Sequence, residues 1–196
     1  MIAYIKGEIV EKNPAYVILE CGGIGYMINI SLYTYSNIPE TGNIMFLTHL
    51  AIKEDSYILY GFITQEEREL FKNLISVSGV GPNTARVILS SHSSGEINKA
   101  ILENNPEVLQ SVKGIGAKTA QRIVVDLKDR LKKETLPKED FLASTNNTTR
   151  NEALSALVML GFAKNPVEKI LDKLIGSYEG QNLSAEALVK EALKKL

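Results

Sequence analysis

Cysteine is almost missing from this chain: Cys21 stands alone among 196 residues, so an internal disulfide framework is excluded. Histidine is nearly as scarce. His49 and His92, with a single thiol, are too few to build a ligand cluster of zinc-finger type, and neither a metal nor another cofactor is expected. No apolar run approaches the roughly 20 residues that cross a bilayer. Met1 to Lys6 also lacks the charged, apolar and small-residue zones of a secretory signal, so the expected location is the cytoplasm, away from any membrane. Cys21 is expected as a small buried side chain, and the two histidines as structural or surface residues. Net charge is lacking as well, at formally −1, so any binding of a polyanion must rest on basic residues that are segregated.

They are segregated. Residues 1–63 hold three Lys or Arg against six Asp or Glu, whereas 113–133 hold seven (Lys113, Lys118, Arg122, Lys128, Arg130, Lys132, Lys133) against Asp126 and Asp129. Overall, 44% hydrophobic and 23% charged residues fit a folded chain, and its length suits several small modules.

The first module reads as strands. Ile2 to Ile5, Ile9 to Val10, Tyr16 to Glu20, Tyr26 to Ile30, Ile44 to Ile52 and Tyr57 to Phe62 are rich in Ile, Val and Tyr. Asn13-Pro14, Gly22-Gly23, Pro39 to Asn43 and Glu54-Asp55 separate them as turns. Five or six strands in so few residues must manage their edges, which a small closed or partly closed barrel of OB type does, while a sandwich needs more chain.

At Thr64 the period changes. Thr64 with Glu66 and Glu67 signals a helix start, and Leu70, Phe71, Leu74 and Ile75 follow at helical spacing. A repeat lies in this part. With an offset of 35 residues, Leu74, Val77, Gly79, Gly81, Thr84, Ala85 and Ile88 fall on Leu109, Val112, Gly114, Gly116, Thr119, Ala120 and Ile123. Each copy has the form helix, Gly-hydrophobic-Gly, helix: Gly79-Val80-Gly81-Pro82 and Gly114-Ile115-Gly116-Ala117. The glycines let the backbone turn where other residues strain, and Val80 or Ile115 plugs the gap between the helices. Unpaired amides at the start of each second helix, with the helix dipole behind them, suit a phosphodiester oxygen.

A single Gly-x-Gly between helices is more simply a tight turn; two copies in register resemble the tandem helix-hairpin-helix that grips DNA backbones without reading sequence. The expected phosphate-binding set is Gly79, Val80, Gly81 and Thr84 with Gly114, Ile115, Gly116, Lys118, Thr119 and Arg122. A nucleotide P-loop is excluded, because Val112 and Ala117 stand where glycines are required and Glu107 to Val112 reads as helix. Two other classes stay open. A repair nuclease or glycosylase of helix-hairpin-helix type would recruit Lys118 and Asp126, although surface positions on a basic helix explain both more simply. A single-strand-binding barrel would need aromatics in a basic groove, and this barrel carries excess acid.

Residues 135–150 contain Pro137 and a Ser-Thr-Asn-Asn-Thr-Thr run, too polar to bury, and are expected as a flexible linker. Asn151 to Phe162, Pro166 to Ile175 and Ser184 to Leu196 then read as three short helices, the first stopped by Gly161 and the third capped by Ser184. The fold class expected is multidomain α+β: an OB-type barrel (1–63), a tandem helix-hairpin-helix domain (64–134), the linker (135–150) and a three-helix domain (151–196).

The small barrel, the tandem Gly-Val-Gly-Pro and Gly-Ile-Gly-Ala-Lys-Thr-Ala hairpins, the polar linker and the helical tail together resemble the RuvA family of bacterial Holliday-junction-binding proteins. The opening Met1-Ile-Ala-Tyr-Ile-Lys-Gly and the segment Glu54-Asp55-Ser-Tyr-Ile-Leu-Tyr-Gly-Phe are similar to that family too, so the likeness spans essentially the whole chain. It implies a non-catalytic DNA-binding subunit acting in recombination and DNA repair, including the SOS response. It also implies a homotetramer, or an octamer on DNA, that holds four-way junction DNA open and recruits the hexameric ATPase RuvB for branch migration. The RuvC resolvase is a further implied partner.

The family's acidic pin falls on Glu54 and Asp55. Carboxylates repel phosphates, so a ring of them at a crossover would favour separated strands; by local sequence alone the pair is equally a surface β-turn. Leu157, Leu160, Phe162 and Leu193 match positions through which the family touches its motor, although so small a helical unit needs most of its leucines for its own core. The chain departs from the family after Pro82 and after Gly116, where Asn83 and Ala117 replace basic residues that are frequent there. Phosphate grip is then expected to rest on backbone amides, Lys118 and Arg122.

Overall fold

The computed structural model describes residues 2–135, 145–177 and 184–196, and the chain divides into two units, Met1–Thr135 and Leu136–Leu196. In the first unit, strands β1 (Tyr4–Asn13), β2 (Tyr16–Cys21), β3 (Ile24–Asn29), β4 (Gly42–Ile52) and β5 (Tyr57–Phe62) close into a barrel in the order β1-β2-β3-β5-β4. All neighbours are antiparallel except β3 and β5, which run parallel. The two short stretches expected at the N-terminus are one continuous strand, β1.

Period-two alternation decides which way each side chain faces. Ile5 and Ile9 turn inward beside Val17, Leu19, Ile28 and Phe46, whereas Tyr4, Lys6, Glu8 and Val10 face outward. Gly7 sits between the two inward isoleucines, and a Cβ there would run into the Glu20 carbonyl. The missing side chain is therefore what lets β1 cross β2 this closely. A register shift between Ile9 and Glu11 bends β1 as the barrel closes.

A short helix not read from the sequence, α1 (Leu32–Ser36), lies between β3 and β4, started by Ser31, whose Oγ accepts the Thr34 amide at 3.0 Å. Cys21 is a correction. It ends β2 beside the Gly22-Gly23 turn and is exposed, not buried.

The helical part of this unit contains α2 (Gln65–Ile75), α3 (Pro82–Ser91), α4 (Ser94–Leu102), α5 (Glu107–Gln110) and α6 (Ala117–Thr135). Thr64 caps α2 as expected, its hydroxyl accepting the Glu67 amide at 3.1 Å. The core runs from β5 through both hairpins: Tyr60 and Phe62 pack against Phe71, with ring centroids 5.0 and 4.9 Å away, and Leu74, Ile88, Ile101, Ile123 and Leu127 continue it. Arg86 of α3 clamps the helices to the barrel, donating to the Ala15 carbonyl at 2.9 Å and to Asn29 Oδ1 at 3.1 Å. Barrel and hairpins therefore form one body.

The second unit contains α7 (Thr145–Met159), α8 (Lys164–Ser177) and α9 (Ala185–Leu193) around Ala153, Leu157, Val167, Leu171, Leu174, Leu188 and Ala192. The linker expectation needs correcting at its end, because α7 begins at Thr145 and takes in 145–150; residues 136–144 lie outside the described residues. The polar run hid this start, which Arg150 reinforces by pairing with Asp172 at 2.7 Å. Gly161, at φ +98°, ends α7 in a Schellman turn, with the Phe162 amide on the Leu157 carbonyl and the Gly161 amide on Val158. Ser184 caps α9 as read from sequence, accepting the Ala187 amide at 3.2 Å. Among the described residues no helix is long and apolar enough to cross a membrane.

Candidate nucleic-acid interface

The two Gly-x-Gly turns have the same backbone. Gly79 has φ +92° and Gly114 φ +93°. Val80 N–H donates to the Val77 carbonyl at 3.0 Å, and Ile115 N–H donates to Val112 at the same distance. One turn later, Ala85 donates to Gly81 at 2.9 Å and Ala120 to Gly116 at 3.0 Å. Both plugs, Val80 and Ile115, are buried in the common core, so only their backbones are available at the surface. A duplicated backbone needs the same glycines at the same offset, which is why the repeat shows in the sequence.

Outside the plugs, the turns are open. All four glycines are exposed, and a Cβ built on Gly79, Gly81, Gly114 or Gly116 would meet no heavy atom within 4 Å. Gly81 caps α3 with no side-chain hydrogen bond, and Pro82 occupies the first helical position where an N–H is not needed. The first-turn amides are left for an outside acceptor, with the positive end of the helix dipole behind them. Thr84 and Thr119 are half-buried on the same first turns. The preceding segment of the second copy is helix α5 and not a strand, so the lysine-threonine pair that follows is no phosphate loop of nucleotide-binding type.

The cations are distributed unequally between the copies. Lys113 and Lys118 are exposed and make no ion pair among the described residues. Arg122 is exposed as well, and its weak pairing with Asp126, at 3.8 Å one turn away, leaves it free to exchange partners. In the first copy Asn83 Oδ1 accepts from Arg86 Nη2 at 2.9 Å, and Arg86 is already spent on the barrel. Sequence reading missed Arg86; its counterpart 35 residues on is the exposed Gln121, so the repeat carried no signal for it. Lys118 and Asp126 both lie exposed on α6, as expected of solvated side chains on a basic helix.

Glu54 and Asp55 stand exposed at the tip of the β4–β5 hairpin, which the Lys53 amide closes onto the Ser56 carbonyl at 2.9 Å. The last pair of that ladder, Ile52 and Tyr57, is also exposed. Among the described residues, no three His, Cys, Asp or Glu side chains gather as metal ligands. His49 packs on Phe71, its pKa lowered by burial and by Lys72 and Arg68, which marks it as structural.

In the second unit the four apolar residues singled out separate into two kinds. Leu157 is 0% exposed and belongs to the core, a correction to its reading as a contact residue, because α7 turns it toward α8 and α9. Leu160 is 61% exposed and Phe162 is exposed beside it, since α7 ends at Met159 before its periodicity can bury them, and Leu193 is exposed at the last position of α9. Met159, 88% exposed, joins them and was not anticipated.

Comparison with known proteins accounts for the whole chain. The model of the RuvA N terminal domain matches residues 1–61, that of a SAM-like helix-hairpin-helix tandem matches 71–129, and that of the RuvA C-terminal domain matches 148–196. Among curated relatives, the Holliday junction branch migration complex subunit RuvA of Christiangramia forsetii is 50% identical over 100% of both chains. The proteins of the same name from Flavobacterium psychrophilum and Cytophaga hutchinsonii are 46% identical over 100% of both chains and 45% identical over 99% of both.

Proposed function

This chain belongs to the RuvA family, and from that membership we propose that it binds four-way DNA junctions by shape and backbone contact, holds them open and serves a branch-migration motor. One observation carries the DNA contact. Two hairpins with matching backbone bonds present open, uncapped helix starts, an arrangement that suits the two phosphate rails of a duplex and has no use for base sequence. The phosphate-facing atoms are the amides around Gly79, Gly81, Gly114 and Gly116, helped by Thr84 and Thr119 and by the exposed cations Lys118 and Arg122, the latter only weakly paired with Asp126. Val80 and Ile115, whose amides are held by the Val77 and Val112 carbonyls, contribute by fixing the shape of each turn.

Residues 1–63 form the assembly module and carry the pin, 64–134 the DNA module, and the helical tail the motor contact. Four copies around a four-fold axis would bring four Glu54-Asp55 tips to the crossover, where their charge repels phosphate and favours unpaired strands. The exposed Leu160, Phe162 and Leu193, with Met159, leave apolar side chains for the hexameric RuvB ATPase, which would supply the ATP chemistry. RuvC would be a later partner on the same junction.

The test is affinity for a synthetic four-way junction against an equal-length duplex, with ATPase activity assayed on the isolated chain. Tighter junction binding without ATP turnover is expected; equal affinity for both DNAs would sink the reading.

A further inference from the structure

The duplication extends past the glycines to a pair of serines. Ser76 closes α2 and Ser111 closes α5, 35 residues apart like the rest of the repeat. Each donates its hydroxyl proton three residues back, Ser76 to the Asn73 carbonyl and Ser111 to the Val108 carbonyl, both at 2.7 Å. With its proton engaged, each Oγ can only accept from its next partner. That partner comes in both cases from the other hairpin's second helix. Arg130, on α6 of the second copy, donates through Nη1 to Ser76 Oγ at 2.8 Å. His92, closing α3 of the first copy, meets Ser111 Oγ through Nε2 at 3.1 Å, as the donor in the tautomer that carries its proton on Nε2. The two clasps are reciprocal in partner choice. They are not strict copies, since Arg130 lies about one helical turn beyond the position equivalent to His92.

We propose that Ser76–Arg130 and Ser111–His92 form a reciprocal latch that sets the spacing of the two amide turns, making His92 and Arg130 positioning residues for the phosphate grip. Each serine stands three residues before its Gly79 or Gly114, at the root of the loop whose Val77 or Val112 carbonyl holds the plug amide. A shift of either helix end therefore moves an anion site directly. Two sites must match the fixed separation of phosphates on a duplex, so their mutual placement matters more than the modest strength of either bond. The shared apolar core resists separation of the hairpins but is less specific about their sliding, which directional bonds at the surface oppose.

This inference rests on the junction-binding reading, and its test has one arm without DNA. In the full chain, hydrogen exchange is measured over 73–81 and 108–116 for His92→Leu, His92→Gln, Ser111→Ala, Arg130→Ala, Arg130→Lys and Ser76→Ala. His92→Leu, a change in the first copy, should speed exchange in the second copy's turn by roughly three- to tenfold, and Arg130→Ala should do so for 73–81. His92→Gln and Arg130→Lys, which keep a donor, should restore slow exchange. Junction affinity should fall by a similar factor in the disrupting variants, and Ser76→Ala with Arg130→Ala should cost no more than either alone. Unchanged exchange in both turns overturns the latch. So does a loss of affinity on Arg130→Ala that Ser76→Ala fails to reproduce, since Arg130 would then be touching phosphate itself. A wild-type chain with no junction preference would defeat the binding reading and leave the exchange result standing alone.

Discussion

Thr34 of α1 donates its hydroxyl hydrogen bond to Glu67 of α2 at 2.7 Å, while Ser31 donates to the other carboxylate oxygen. All three side chains are buried, so this acid ties the barrel's small helix to the start of the hairpin domain. Burial raises the Glu67 pKa above the ordinary carboxylate range, and the hydroxyls with the Ile63 amide oppose that only in part. A carboxyl whose folded pKa is raised contributes its stability below the unfolded pKa and loses it as pH rises through the folded value. Glu67→Gln removes the charge and keeps an acceptor oxygen for one hydroxyl, its amide group facing the other. Its stability relative to wild type should therefore be least favourable in acid and improve as pH rises above the ordinary carboxylate range, as read by urea unfolding at several pH values. A pH-independent difference would contradict it. Glu67→Ala leaves two buried hydroxyls without their acceptor and should cost about 1–3 kcal/mol.

Glycine replacements should divide by mechanism. At Gly79 and Gly114 an added Cβ has space, but φ near +92° and +93° penalises any L side chain. Alanine there should cost about 1–2 kcal/mol and weaken junction binding. At Gly7 and Gly61 the backbone is ordinary and the space is missing, because the new methyl would strike the Glu20 carbonyl or the Ile28 side chain. Loss near the upper end of about 1–3 kcal/mol is expected, with residual folded protein binding junctions normally. Chemical denaturation and a junction titration on the same variants separate the two classes.

That contrast also explains which parts were legible from sequence. The hairpin repeat could be read because a positive φ and a helix start restrict residue type, so the glycines recur at fixed spacing. The barrel could be read because half-buried strands alternate. α1 could not: five residues hold too little periodicity, and Ser31 is one serine among many. Glu67 sits third in its helix and reads as part of a capping signal, yet its side chain turns inward to hydroxyls distant in sequence. Cys21 defied the usual burial of small thiols because it ends a strand at a glycine turn. Leu157 and Leu160 are the same residue type three apart, and only the place where α7 stops separates core from surface.

The basic contacts of the second hairpin should appear as a salt effect. If Lys118 and Arg122 each neutralise one phosphate, replacing either by Ala reduces the slope of log affinity against log salt by about 0.9. The loss should be equal for junctions of different sequence, since backbone contact carries no base information. Fluorescence anisotropy across a salt series measures both quantities. A loss confined to some sequences would contradict backbone readout.

Neutralising the β4–β5 tip should behave in the opposite sense. Glu54→Gln with Asp55→Asn removes two exposed carboxylates without disturbing the Lys53–Ser56 backbone bond that closes the turn. Junction affinity should hold or rise because repulsion with phosphate is relieved. Strand separation at the crossover, followed by a fluorescent base analogue there, should diminish. Lower affinity with unchanged opening would make the turn purely structural.

In the tail, stability and the proposed partner contact should separate within one short stretch. Leu157→Ala empties a fully buried position and should destabilise the three-helix unit by about 2–5 kcal/mol. Leu160→Ser and Met159→Ser act on side chains 61% and 88% exposed, and should change stability by less than about 0.5 kcal/mol. If this patch docks the motor, those two surface changes should nonetheless weaken capture of RuvB, because a polar hydroxyl replaces apolar area that the partner would bury. Calorimetric titration of the full chain with RuvB, beside thermal melts of each variant, tests this. Normal capture by a stable Leu160→Ser, Met159→Ser double variant would move the motor contact elsewhere on the tail.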